Sequence, residues 1–115
     1  MRLPELAQEL NLKELTPSIQ ADCDITAGYA SDLLSDVLAN APDGGVLVTV
    51  QVHLNVVAVA SHAGLRAVIF STGRIPEPDV IERAASESVA LYSSAADSFD
   101  VVGRLFALGV RGKEE

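Results

Sequence analysis

Three short clusters carry the side chains best suited to chemistry. Gln51, His53 and Asn55 form the first. Ser71, Thr72, Gly73 and Arg74 form the second. Ser93 and Ser94 form the third, with Asp97 and Ser98 just behind them. Hydroxyls, a guanidinium and backbone N–H groups at helix starts are what recognise an anion or a phosphate. The second cluster follows an apolar run, Ala67 to Phe70, and precedes Pro76-Glu-Pro-Asp-Val80. It is a strand-to-helix corner with its polar residues at the strand's carboxyl end, where ligands of open α/β sheets bind. If the three strands are parallel neighbours, all three clusters and Thr49 lie along one edge. The plainer reading of each cluster is helix capping and chain turning.

The same residues make a poor reaction centre. His53 is the only obvious general base; the alternatives for it are ligand binding or a structural hydrogen bond. His62 reads as an exposed residue near a helix end. His53, His62 and Cys23 have no familiar metal-ligand spacing. Asp32 and Asp36 sit one helical turn apart, which reads as a solvated face rather than a cation site. No lysine follows a glycine-rich run at phosphate-loop spacing, no Gly-x-Ser-x-Gly elbow is present, and a single cysteine allows neither an internal disulfide nor dithiol exchange. Cys23 reads as a small structural residue. The sequence therefore predicts no catalysis, no cofactor and no metal.

Composition sets the frame for these clusters. A chain of 115 residues, 49% hydrophobic, is one domain with a real core. With aromatics at 4%, that core is mainly Val, Leu, Ile and Ala, which suits a parallel sheet covered by helices. The formal charge of −8, with only Lys13 and Lys113 as lysines, disfavours nucleic acid. No signal-like N-terminal segment is seen. The apolar region Val46 to Ala60 is interrupted by polar residues and is shorter than the roughly 20 residues of a membrane helix. The expectation is a soluble, cytoplasmic protein.

The elements that must position the clusters can be read in order. A helix is expected over 2–10, with Pro4 in its first turn. A brief strand follows over 12–15, a turn at Pro17 and Ser18, and a weak strand over 24–29. Ser31 is expected to cap a helix whose apolar positions are Leu33, Leu34, Val37, Leu38 and Ala41. Pro42-Asp-Gly-Gly45 stops it. From Gly45 two readings compete: one strand to about Val57, or a strand to about Gln51 and then a buried helix to Ala63. The second is preferred, because Gly64 is a normal helix stop and a parallel strand at Ala67 needs a crossover. A helix starts at Pro78, with Val80, Ile81, Ala84 and Ala85 buried. A strand covers 89–92. A last helix, capped by Asp97 or Ser98, presents Val101, Val102, Leu105, Phe106 and Leu108 as its apolar face. Residues 1–110 form one domain, and 111–115 a flexible tail. The fold class expected is α/β: a Rossmann-like parallel or mixed sheet with helices on both faces.

Four segments carry a resemblance to a known family: the run from Gly28 to Asn40, with Ser31 to Asn40 the most specific part; Val50 to Ser61, with His53 and Asn55; Phe70 to Pro76; and Ala96 to Phe99. Together they resemble the DRTGG domain family, most closely its small stand-alone members in anaerobic and thermophilic bacteria. The likeness runs from about Leu3 to Gly109. The chain departs from the family's motif in two places. The segment at His53 takes the place of the Asp-Arg pair, and Thr72-Gly73-Arg74 has Arg where a second Gly would stand. The resemblance implies a Rossmann-like module. Related domains accompany catalytic domains in HPr kinase/phosphorylase-like proteins and phosphotransacetylases. They also lie between regulatory CBS modules of some pyrophosphatases, where the combined region binds adenine nucleotides. Kinase activity is not implied, because the phosphate loop belongs to another domain. Self-association is implied.

Three readings follow. The first is a regulatory module binding a small anion, an adenine nucleotide being the leading class, at Thr49, Gln51, His53, Asn55, Ser71, Thr72, Gly73, Arg74, Ser93 and Ser94. The second is an assembly module without a ligand, a dimer or higher homo-oligomer, whose helix near Val56 to Ala60 faces a twin or a protein from the same pathway. The third, weakest, is a small enzyme using His53.

Overall fold

In the computed structural model, residues 1–19 and 21–112 are described. The order is α1 (Leu3–Glu9), β1 (Lys13–Glu14), β2 (Gly28–Ala30), α2 (Leu34–Asn40), β3 (Val46–Thr49), α3 (Asn55–Ala63), β4 (Ala67–Phe70), α4 (Pro78–Ser86), β5 (Ala90–Ser93) and α5 (Ser98–Ala107). The five strands form one sheet in the order β1-β5-β4-β3-β2. β2 to β5 pair in parallel, and β1 joins β5 antiparallel, so the sheet is mixed.

The parallel strands follow one another across the sheet in chain order. With right-handed crossovers, such an order puts every connecting helix on the same side. The core divides accordingly. Val37 of α2, Val56, Val57 and Ala60 of α3, and Val80 and Ala84 of α4 pack with Leu47, Val68, Phe70 and Leu91. Leu3 and Leu6 of α1 and Val101 and Leu105 of α5 pack with Val46, Val48, Ala67, Ile69 and Tyr92. Alternate residues of each strand serve opposite layers, as the pleat requires. Because both faces are covered, Val46 to Thr49, Ala67 to Phe70 and Ala90 to Ser93 are buried throughout. That is why these strands read as apolar runs rather than alternating ones.

The two-way reading after Gly45 resolves as a short strand and then a helix. Gly64 ends α3 with φ of 75°, a left-handed cap that glycine adopts without strain. Several expectations are corrected. The strand expected over 24–29 is confined to Gly28–Ala30, although Ile25 is buried. Ser31 does not cap α2: its Oγ accepts from Leu33 N at 3.2 Å, and the helix begins one turn later without a side-chain cap. In α5, Val101 and Leu105 face the core, but Val102 and Phe106 point outward. Arg111, expected in a loose tail, pairs in parallel with Ala27: its N–H donates to Thr26 O and its carbonyl accepts from Gly28 N. The remainder of the expected tail, 113–115, lies outside the described residues.

Candidate functional site

Because β3, β4 and β5 are parallel and adjacent, their trailing loops emerge on one edge. α4 leaves β4 toward one face of the sheet and α5 leaves β5 toward the other. Neighbouring loops that diverge to opposite faces are the hallmark of a switch point, where α/β sheets bind ligands. His53, Thr72 and Ser94 thus share an edge, as parallel strands require.

The ten residues expected on this rim fall into two groups. Thr49, Ser71, Ser93 and Ser94 are buried and spend their side chains on the framework. Thr49 Oγ1 donates to Asp32 Oδ1 at 2.9 Å and accepts from Gln51 N at 3.1 Å, while Val50 N also donates to Asp32 Oδ1, at 2.8 Å. Ser71 N donates to Thr49 O, and Ser71 Oγ shares a hydrogen with Ser98 Oγ at 2.6 Å. Ser93 Oγ donates to Arg74 O, and Ser94 Oγ accepts from Ala96 N. These bonds stitch the ends of β2, β3, β4 and β5 to one another. Asp32, singled out only as a surface carboxylate, is the fastening between the first two. A carboxylate two residues past a strand end could have signalled such a clamp, but spacing alone does not separate it from a solvated Asp.

Gln51, His53, Asn55, Thr72, Gly73 and Arg74 form the exposed group. His53 is exposed, and its Nδ1 accepts from Asn55 N at 3.1 Å at the entrance to α3. Thr72 and Gly73 have φ of 61° and 67°. A β-branched residue in the left-handed region is a genuine strain. The compensation is visible: Thr72 N donates to Ala96 O and Gly73 N to Ser94 O, each at 2.7 Å. Those two amides therefore point into the β5 loop and not at a ligand. What the corner presents outward is the Thr72 side chain and the Arg74 guanidinium. Among the described residues Arg74 enters no ion pair.

Two clefts lie away from this rim. A hollow of about 860 Å³ opens between α1 and the residues Ile19, Ala21 and Asp22. A groove of about 340 Å³ runs between β2 and the C-terminal half of α5. The rim is an open lip. Asp36 accepts from Tyr29 Oη at 2.8 Å and from Asn40 Nδ2 at 2.8 Å, bonds that hold its carboxyl below the ordinary value of 3.8. The same bond raises the Tyr29 hydroxyl above 10.0. Asp32 and Asp36 thus turn to different partners. Among the described residues, no group of three or more His, Cys, Asp or Glu could hold a metal. Burial pushes the Cys23 thiol up, against the pull of Arg66 and Arg2, so it stays protonated. No described helix is long and apolar enough to cross a membrane.

Sequence reasoning placed the twin-facing surface on Val56 to Ala60. Val56, Val57 and Ala60 are fully buried against the sheet, so of that stretch only Ala58 and Val59 are accessible. Among the described residues, the exposed large apolar side chains on helices are Leu38 of α2 and a group of three on α5, Phe99, Val102 and Phe106. Their spacing of three and four marks a second stripe opposite Val101 and Leu105. It was legible only as excess hydrophobicity.

The fold and its edge define a small α/β unit with a polar rim at its strand ends. No family model matches the sequence, and no curated protein does. In fold, the chain is similar to solved structures that include the CBS and DRTGG domains of the regulatory region of Clostridium perfringens pyrophosphatase, complexed with its activator diadenosine tetraphosphate. The TM-score is 0.70 at 12% identity, over 90% of this chain. The chain spans 45% of the length of that structure. The similarity is one of fold, and the mixed α/β architecture agrees with the one implied by the DRTGG resemblance.

Proposed function

We propose that this chain is a regulatory, non-catalytic domain of the DRTGG type that senses a small anionic molecule at the rim of β3, β4 and β5. The observation that carries the reading is the corner after β4. A strained Thr72, and an Arg74 that enters no ion pair among the described residues, stand exposed on a rim whose buried hydroxyls are already satisfied. Exposed polar side chains beside a strained backbone at a switch point fit a binding role. Arg74 would pair with the anion, with Thr72, Gln51, His53 Nε2 and Asn55 as neighbouring polar groups. The similarity to a regulatory region solved with a dinucleotide activator supports adenine nucleotides as the class. His53 Nδ1 is engaged by Asn55 N, which supports a structural part for that residue rather than acid–base work. A cytoplasmic, bacterial setting belongs to the same reading.

The test is a thermal-shift screen of nucleotides and sugar phosphates on the purified chain. A ligand at 100 times its Kd stabilises by about 2.7 kcal/mol, an easily read shift. Arg74→Ala is expected to abolish it. A panel with no shift on the unaltered protein refutes the reading.

A second reading has an observation of its own. Phe99 is 90% exposed, and a helix with such a face suits self-association, as a homodimer or higher oligomer, independent of any ligand.

A further inference from the structure

The outer face of α5 is apolar where a surface helix is normally polar. Phe99, Val102 and Phe106 are 90%, 39% and 57% exposed. They stand at i, i+3 and i+7, one stripe down the helix. Gly103 lies beside Val102 in the middle of that stripe, and a Cβ built there meets nothing within 4 Å. Ala30 at the sheet edge borders the same surface, which continues into the groove beside β2.

We propose that this face docks a second copy of the chain, with the two α5 helices antiparallel about Gly103. The inference rests on the self-association reading and names its surface. Charge selects the occupant and its direction. Asp97, which caps the helix, and Asp100 stand at its start and Arg104 near its end; Asp100 and Arg104 pair along the helix at 3.0 Å and leave the two ends of opposite sign. Arg111 adds a second cation at that end, its guanidinium 3.9 Å from the centre of the Phe106 ring. Antiparallel pairing sets the acidic end of one copy against the basic end of the other; parallel pairing opposes like charges. The helix dipoles favour the same direction. Phe99 of each copy then meets the Phe106 end of its twin, and Gly103 lets the two backbones approach closely. The formal charge of −8 works against an anionic lipid surface as the occupant.

Light scattering on the full chain tests this. At roughly 100 µM, ample for a small interface of micromolar affinity, the expected mass is twice the 12.1 kDa of one chain. Gly103→Gln fills the close approach while favouring helix at an exposed position, so it is expected to stay folded by circular dichroism and become monomeric. Asp100→Arg is expected to weaken the dimer at least tenfold, and Asp100→Arg with Arg104→Asp to restore it. A monomeric parent chain refutes both this surface and the self-association reading. A dimer untouched by Gly103→Gln and Asp100→Arg refutes the surface alone. Neither outcome bears on ligand binding at Arg74.

Discussion

Replacing Thr72 with glycine is expected to stabilise the protein while weakening the rim. Thr72 sits at φ of 61°, and its N–H is fixed to Ala96 O at 2.7 Å. A left-handed backbone costs an L-residue about 1–2 kcal/mol. Glycine removes that strain but surrenders about 0.5–1 kcal/mol of unfolded-state entropy. The net expectation for Thr72→Gly is a gain of about 0.5–1 kcal/mol, or roughly 2–5 °C in a domain of this size. Gly73→Ala is the control. A Cβ at Gly73 meets nothing within 4 Å and its φ is 67°, so its whole effect is conformational: a loss of about 1 kcal/mol. Urea denaturation at neutral pH reads both. The hydroxyl is lost with the strain, so any nucleotide-dependent shift should shrink in the more stable variant. A destabilised Thr72→Gly together with a neutral Gly73→Ala would show that the turn does not hold its left-handed pair, and the case for stored strain at this corner would fail.

Two further perturbations probe the framework. Asp32→Ala deprives Thr49 Oγ1 and Val50 N of their shared acceptor, and is expected to lower stability by about 1–3 kcal/mol in urea; an unchanged midpoint would remove Asp32 as the fastening between the β2 and β3 loops. Tyr29→Phe removes the hydroxyl that holds the Asp36 carboxyl below 3.8. A depressed carboxyl contributes stability that is present above its unfolded value and is lost as pH falls through the folded one. The raised Tyr29 hydroxyl contributes below 10.0 and is lost as pH rises through its folded value. The difference in stability between parent and Tyr29→Phe should therefore be widest between these limits and shrink at both. A difference that is constant from pH 7 to pH 3 would contradict the assignment.

The parts of the fold that the sequence revealed are those in which burial leaves no choice. Val46 to Thr49, Ala67 to Phe70 and Ala90 to Ser93 lie between two helical layers, so apolar runs with turn signals betray them. α3 was found through Gly64 and the demand for a crossover. The edge strands were vaguer, because β1 and β2 have two and three residues and their pairing depends on chain far away. α5 was located but not oriented: apolar residues surround it, and periodicity cannot decide whether Val101 or Val102 faces inward. The rim was found by position, yet its division into buried and exposed members was not. Serine and threonine satisfy a neighbouring loop or a ligand equally well, and only the partners of Ser71, Ser93 and Ser94 tell which.

The bridge between Ala27 and Arg111 has a consequence for how the unit can be carried. Met1 donates to Ile25 O and Leu3 to Cys23 O, while Arg111 exchanges bonds with Thr26 and Gly28. Both extremities of the described chain are thus clasped to one short segment, residues 23–28. A unit whose entrance and exit adjoin can be grafted into a loop of a larger polypeptide without stretching either connection. Loosening residues 23–28 would therefore release both of these end segments at once.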